Sequence, residues 1–461
     1  VRVVNKNLTR PTFDDARPVW QTMALFLIPL MLSNVLQALS ATTNSIFLGR
    51  LVGVHALAAV SNIFPIVFFL ISFLIGVGSG STVLIGQAYG AGEGAKVKQI
   101  AGTTLFLTIV VGIVVGILGS VFAKDLLFAI GTPADIIDES ASYARITFAT
   151  LPIVFVYLIY TTFLRGTGDV RTPFYALIAS TALTIALSPA FIVGFAGLPK
   201  LATNGAAVAN VLATILTFAG LLLYLRARKD PLALDAEMLA DLRPRWDLVK
   251  KVVRLGVPTG INLVMVSLSE IAVLAFVNRF GSTATAAYGA VNQIVSYVQF
   301  PAISLGITAS IFGSQAIGGG RGERFPRIVR AAVTLNYVIE GVLIAIGYLF
   351  SYAAISLFVT DPETVAVAQS LLHITLWSYA IFGNARILAN IMLSSGTVLW
   401  PTILSIASIW FVEVPVAYVL MGRIGLPGVW YGYPAAFIAG LAMQTAYYFL
   451  VWKKRPLARM V

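Results

Sequence analysis

Three carboxylates stand inside long apolar stretches of this chain: Glu270, Glu340 and Glu413. A carboxylate at mid-bilayer costs about 2.5 to 3.5 kcal/mol on insertion scales, so it persists where it pairs, faces water, or takes up a proton or cation. The chemistry such groups offer is reversible binding of H⁺ or Na⁺. Glu270 has company on its own helix face: Asn262, Ser267 and Asn278 share one side with it, beyond the kink expected at Pro258. The next span repeats the pattern with Tyr288, Asn292, Ser296 and Gln299, and the first span offers Asn34, Gln37 and Asn44. Amide and hydroxyl oxygens around one carboxylate suit a Na⁺ site or a proton relay. The same groups also build plain hydrogen-bonded seams between membrane helices. We assign the coupling role to Glu270 and leave the amides open between the two readings.

Glu413 precedes Pro415 by two residues. A proline frees backbone carbonyls in a helix, so Glu413 either joins a cation site or serves the kink. Glu340 lacks a polar stripe and is expected to bridge structurally to Arg386 or Arg330. Arg386 shares a helix face with Tyr379, Phe382 and Asn390, close enough to the end of its span to snorkel toward water. Aromatic side chains crowd the second half, among them Trp377, Trp400, Trp410, Trp430 and Tyr431. A subset lining a cavity, with Trp377 and Phe382 as candidates, would receive a flat cation by stacking and cation-π contact. His55 and His373 are single, so no metal site is expected.

The elements that must hold these groups follow from composition. With 58% hydrophobic and 11% charged residues, and a mean hydropathy of +0.90, the solvent of this chain is lipid. Apolar stretches of about 20 residues span a bilayer as helices, and twelve are expected, centred near 31, 72, 108, 152, 184, 215, 265, 300, 341, 380, 410 and 440. The net charge of +12 does not point to nucleic acid, because the basic residues sit in short loops. With both termini cytoplasmic, 24 of the 31 Lys and Arg fall inside, as the positive-inside rule requires. The polar, basic first residues are unlike a signal peptide, so the first apolar segment is expected to remain as a span. The sequence contains no cysteine, which removes disulfides and thiol chemistry.

The spans are duplicated. Pro29 and Arg50 return as Pro258 and Arg279 at an offset of 229, and Ala58-Ala59, Gln87, Gly90, Gly168 and Pro173 return as Ala286-Ala287, Gln315, Gly318, Gly396 and Pro401 at 228. The longest hydrophilic stretch lies between the copies. The expected organisation is a six-helix bundle over 1–228, a cytoplasmic linker over 229–247 and a second six-helix bundle over 248–461. An even number of spans starts and ends each copy on one face, so the bundles are expected to be parallel, related by a pseudo-two-fold axis along the membrane normal. The fold class is an all-α polytopic membrane protein. Glycine-rich runs at Gly86 to Gly92 and Gly313 to Gly320 lack the Gly-Lys-Ser/Thr of a phosphate loop, so they read as helix exits and the energy source as an ion gradient.

Ile46-Phe-Leu-Gly-Arg50 with Ala56-Leu-Ala-Ala-Val60, then Gly86-Gln-Ala-Tyr-Gly-Ala-Gly92, Phe163-Leu-Arg-Gly-Thr-Gly-Asp-Val-Arg-Thr-Pro173, and Glu270 with Ala286-Ala-Tyr-Gly289 resemble the multidrug and toxic compound extrusion (MATE) family. The resemblance covers essentially the whole chain. It implies an inner-membrane antiporter, a functional monomer, that exports amphipathic, often cationic compounds in exchange for H⁺ or Na⁺. No cofactor beyond that ion is expected, and the partners are the small-molecule substrate, the coupling cation and membrane lipid. Departures are informative: Asn44 stands where bacterial members often carry Asp, Ser188 precedes Pro189, and the tenth span reads Phe382-Gly-Asn384. Mechanisms built on a carboxylate in the first half therefore do not carry over. Three rivals remain: a flippase of lipid-linked oligosaccharides, which needs cationic groups in its cavity and has Arg386 as its candidate; a non-transporting sensor or scaffold; and a membrane-embedded enzyme, for which no nucleophile or acid-base cluster is found.

Overall fold

The computed structural model describes residues 17–195 and 199–461. Among them the chain is helical, with no strand. Twelve helices are long and apolar enough to cross a membrane, and each expected span falls on one of them. The first half contains α1 (Val19–Leu51), α2 (Val54–Gly90), α3 (Gly94–Val121), α4 (Ala123–Ala129), α5 (Ile137–Gly166), α6 (Arg171–Val193), α7 (Thr203–Ala227) and the short α8 (Ala236–Ala240). The second half contains α9 (Trp246–Asn278), α10 (Ser282–Gly318), α11 (Phe325–Leu349), α12 (Ser351–Ser356), α13 (Pro362–Thr375), α14 (Tyr379–Ser394), α15 (Leu399–Ser408), α16 (Val414–Ile424), α17 (Leu426–Trp430) and α18 (Gly432–Leu450).

Backbone packing divides the chain into two units, and the divisions fall within helices: α1 between Met31 and Leu32, α9 between Val257 and Pro258. Leu32–Val257 forms one unit, and 17–31 with Pro258–Val461 the other. Both cuts lie at or near the repeated prolines, Pro29 inside α1 and Pro258 inside α9.

In the first unit α3 packs along α5 and α6 along α7. The α3–α5 approach is close because small residues recur on α3. A Cβ on Gly112 would lie 2.9 Å from the Pro152 Cα, and one on Gly116 would lie 2.9 Å from the Phe148 carbonyl oxygen. Such spacing lets two backbones meet where lipid gives no hydrophobic drive to associate. Part of the hydrophilic stretch after α7 also packs here. Leu232 and Met238 are fully buried, and the Tyr160 hydroxyl donates to the Leu232 carbonyl at 2.7 Å. Asp235 caps α8 by accepting from the Met238 N–H at 2.8 Å. Lys98 of α3 donates to both Asp235 and Glu237, each at 2.6 Å. Burial opposes the charge on Asp235, but Lys98 and the Met238 N–H outweigh it and hold the carboxyl below its ordinary value.

In the second unit α10 lies against α11, α13 and α14, and α14 lies against α11 and α18. A core of buried aliphatic and aromatic side chains, among them Val291, Leu372, Tyr379 and Trp430, joins these helices. The duplication is visible in the turns. Gly53, Gly92 and Gly168 have φ of 127°, 73° and 93°, and their counterparts Gly281, Gly320 and Gly396 have 91°, 68° and 84°. Residues with a Cβ avoid that region, so each turn holds glycine in both copies.

Candidate functional site

A cavity of about 170 Å³ lies inside the second unit, and Glu270 and Glu413 both line it. Glu270 reaches it from α9, beyond Pro258, with Asn262 on the same wall. Its Oε2 accepts two hydrogen bonds, from the Tyr288 hydroxyl at 2.6 Å and the Tyr433 hydroxyl at 2.9 Å. The two phenolic oxygens are 3.0 Å apart. Tyr288 is fixed from behind by buried Trp430, whose ring stacks on it with centroids 6.0 Å apart and planes 8° from parallel. Tyrosine inside an apolar bundle needs a partner for its hydroxyl, and here one carboxylate serves two.

Glu413 enters through a change of helical pitch. Pro415 has no N–H to offer the carbonyl four residues before it, and the helix opens to a π turn over Ile409–Glu413. The turn leaves Glu413 3% exposed while Phe411 points outward at 79%. Oε1 of Glu413 has no hydrogen-bond partner, and the charge of Glu270 acts on this carboxyl. Arg386 of α14 lines the same cavity. Its guanidinium lies 5.3 Å from the Phe382 ring centre and donates to Asn262 Oδ1 at 3.4 Å. Phe382 in turn packs on Phe437 and Tyr379. The cavity therefore combines two carboxyls, one guanidinium, amides and an aromatic wall.

The structure sorts the expected residues. Glu270, Glu413, Asn262, Gln299 and Phe382 line the cavity, and Tyr288 touches it through Glu270. Asn292, one turn beyond Tyr288, acts on the Tyr288 hydroxyl. Ser267 instead bonds back to the Leu263 carbonyl of its own helix at 3.1 Å. Ser296 is exposed and bonds back to the Asn292 carbonyl at 2.7 Å. Trp377, 42% exposed, stands in the short tighter turn between α13 and α14, outside the cavity wall. Asn278 accepts from the Thr285 hydroxyl at 2.8 Å and ties the α9–α10 turn. Asn34, Gln37 and Asn44 lie on the part of α1 that belongs to the first unit; Gln37 is exposed, and Asn34 and Asn44 are half-buried.

Two expectations are corrected. Glu340 forms no bridge to Arg386 or Arg330: it is fully buried, with both carboxyl oxygens lacking a hydrogen-bond partner. Arg386 turns toward the cavity, and Arg330 is exposed ten residues earlier on α11, about 15 Å along the axis. Nor does Arg386 snorkel, since the cavity supplies the polar surroundings that the bilayer edge would have offered. Sequence reasoning missed Tyr433, Ser269 and Gln444 on the cavity wall. Tyr433 and Gln444 each carried a signal, a phenol and an amide inside one span.

Comparison with known proteins agrees with this architecture. A family model described as MatE matches residues 29–190 and again 258–419, so the two matches begin on the repeated prolines. The probable multidrug resistance protein YoeA of Bacillus subtilis is 53% identical over 445 residues, covering 96% of each chain. The probable multidrug resistance protein NorM of Thermotoga maritima is 26% identical, over 93% of this chain and 92% of that one. Among solved structures, a MATE protein in complex with MaD3S has a TM-score of 0.87 at 21% identity, covering 97% of this chain and 100% of that one. A transporter of the MOP superfamily from Pyrococcus furiosus has the same TM-score and identity, covering 97% and 99%. The doubled match and a full-length relative place the chain in the MatE family of multi-pass membrane transporters.

Proposed function

We propose that this transporter exports amphipathic, often cationic compounds by alternating access, in exchange for H⁺ or Na⁺ bound at Glu270. It works as a monomer in the cell's inner membrane, with both termini cytoplasmic. The observation that carries the reading is the Glu270 carboxylate, set in a cavity wall with two phenols on one oxygen. Those phenols hold Oε2 in place, and Oε1 is the atom we assign to the ion. An ion there cancels the charge that would otherwise hold an organic cation, so loading the ion and releasing the compound are linked. Glu413 adds a second carboxyl to the same wall, and Phe382 with its aromatic neighbours offers a flat face to the same compound. A pyrophosphate-linked lipid would meet two carboxyls against one guanidinium in this cavity, which speaks against the flippase reading.

The test is transport in proteoliposomes under imposed H⁺ or Na⁺ gradients, comparing the wild type with Glu270→Gln. Gradient-driven efflux should be lost in the variant. Full retention would sink the assignment of Glu270.

A further inference from the structure

Arg386 stands inside the tenth span, Pro362–Ser394, and lines the cavity of the second unit. A cationic side chain inside a membrane span is costly, and it persists where a carboxylate neutralises it or a ligand meets it. Among the described residues no acidic side chain acts on this guanidinium. Glu270 is engaged elsewhere, accepting from Tyr288 and Tyr433. Glu413 feels Glu270 and Ser269, and no cation. Asn262, which meets Arg386, precedes Glu270 by eight residues on α9, about 12 Å along the axis. The cavity therefore carries its positive group apart from its acids.

The guanidinium is nonetheless held in place. Nη1 donates to Asn262 Oδ1 at 3.4 Å, and the group lies 5.3 Å from the centre of the Phe382 ring. Asn262 is 6% exposed; its oxygen is taken by Arg386, and its Nδ2 has no hydrogen-bond partner. A guanidinium offers five N–H donors and accepts nothing, and one donor is accounted for. This corner of the cavity thus gathers a positive charge and N–H groups without an acceptor to match. Water satisfies donors but leaves the charge, whereas an anion answers both. One guanidinium balances one negative charge, and a carboxylate also fits its planar fork with two parallel hydrogen bonds. We infer that Arg386, oriented by Asn262 and Phe382, is an anion site for a monovalent group, a free halide or a carboxylate on the exported compound. The inference deepens the transport reading of the same cavity: ion and compound meet Glu270, and the anion meets Arg386.

The experiment uses the full chain in nanodiscs, with no gradient, and thermal unfolding confirms that each variant is folded. One arm measures binding of radiolabelled chloride. Saturable binding to the wild type that is lost in Arg386→Gln identifies a free inorganic anion. The other arm compares a fluorescent aromatic amine with the same compound bearing a carboxylate. A preference of about tenfold or more for the carboxylate form that collapses in Arg386→Gln identifies the compound as the source. Asn262→Ala, which keeps the guanidinium, should weaken whichever binding is found. Arg386→Gln should tighten binding of the plain amine, because a like charge leaves the cavity; a damaged cavity would lose both ligands. Absence of both chloride binding and carboxylate preference in the wild type, or their survival in folded Arg386→Gln, overturns the site. Gradient-driven efflux by Glu270→Gln is a separate readout: its retention counts against the Glu270 assignment and leaves anion binding at Arg386 untouched.

Discussion

The hydroxyl of Tyr288 donates to Glu270 Oε2 at 2.6 Å, and the tyrosine is itself held in place by the ring of Trp430 behind it. The carboxylate is thus positioned by a chain of contacts that begins in the hydrophobic core and ends in the cavity. Hydrogen bonds to a charged group contribute about 1.5–3 kcal/mol each, enough to fix one geometry of the side chain. Because both phenols meet on one oxygen, they act as a unit with Glu270 rather than as independent contacts.

Tyr288→Phe and Tyr433→Phe should therefore each reduce gradient-driven efflux several-fold, and the two together by less than the product of the separate effects. A double-mutant cycle between the two tyrosines on transport rates is the measurement. A combined loss equal to that product would mean the tyrosines act independently of each other.

Glu413→Gln is expected to keep the fold, because the replacement is isosteric and removes a buried acid whose Oε1 lacks a partner. Binding of a fluorescent organic cation should weaken by about tenfold, equivalent to roughly 1.4 kcal/mol, while a neutral amphiphile is unaffected. Equal loss for both ligands would point to a packing role.

The docked segment around α8 should respond to acid. Asp235 is held below its ordinary carboxyl value by Lys98. Its contribution is thus present above the unfolded value and is lost as pH falls through the folded one. Hydrogen exchange over residues 232–243 should be slow at neutral pH and rise below about pH 4. Lys98→Met should give fast exchange at neutral pH and remove the acid dependence. A segment that stays protected in Lys98→Met would show that Leu232 and Met238 hold it unaided.

Two glycines of one helix neighbourhood should behave oppositely. Gly383→Ala drives a Cβ into Asn336 Oδ1 and should destabilise by about 1–3 kcal/mol. Gly341→Ala, where a Cβ meets nothing within 4 Å, should be neutral or stabilise by up to about 1 kcal/mol. Thermal unfolding of the purified variants decides it, and the same sign for both would contradict the packing of α11 on α14.

The spans and their duplication were legible because both are written in composition and in residues whose roles are local: apolar length, proline, glycine. Glu270 and Glu413 were legible as charges with no local reason to be there. The neighbours were less so. A helical wheel put Ser267 and Glu270 on one face, yet Ser267 could satisfy its hydroxyl on its own backbone. Trp377 was named from the aromatic crowding of the second half, a compositional signal that does not fix which way a side chain turns in the tighter helix between α13 and α14. Tyr433 and the pairing of Asn262 with Arg386 depend on contacts between distant spans, which a single sequence does not encode locally.

The paired left-handed glycines carry a historical meaning. Side chains on the two copies were free to diverge by single substitutions, and the acids duly differ. The handedness of a turn has no such gradual route, since any L-residue with a Cβ is disfavoured there. The ancestry of the two halves is thus preserved in the hand of three turns as well as in the repeated Pro, Arg and Gln side chains.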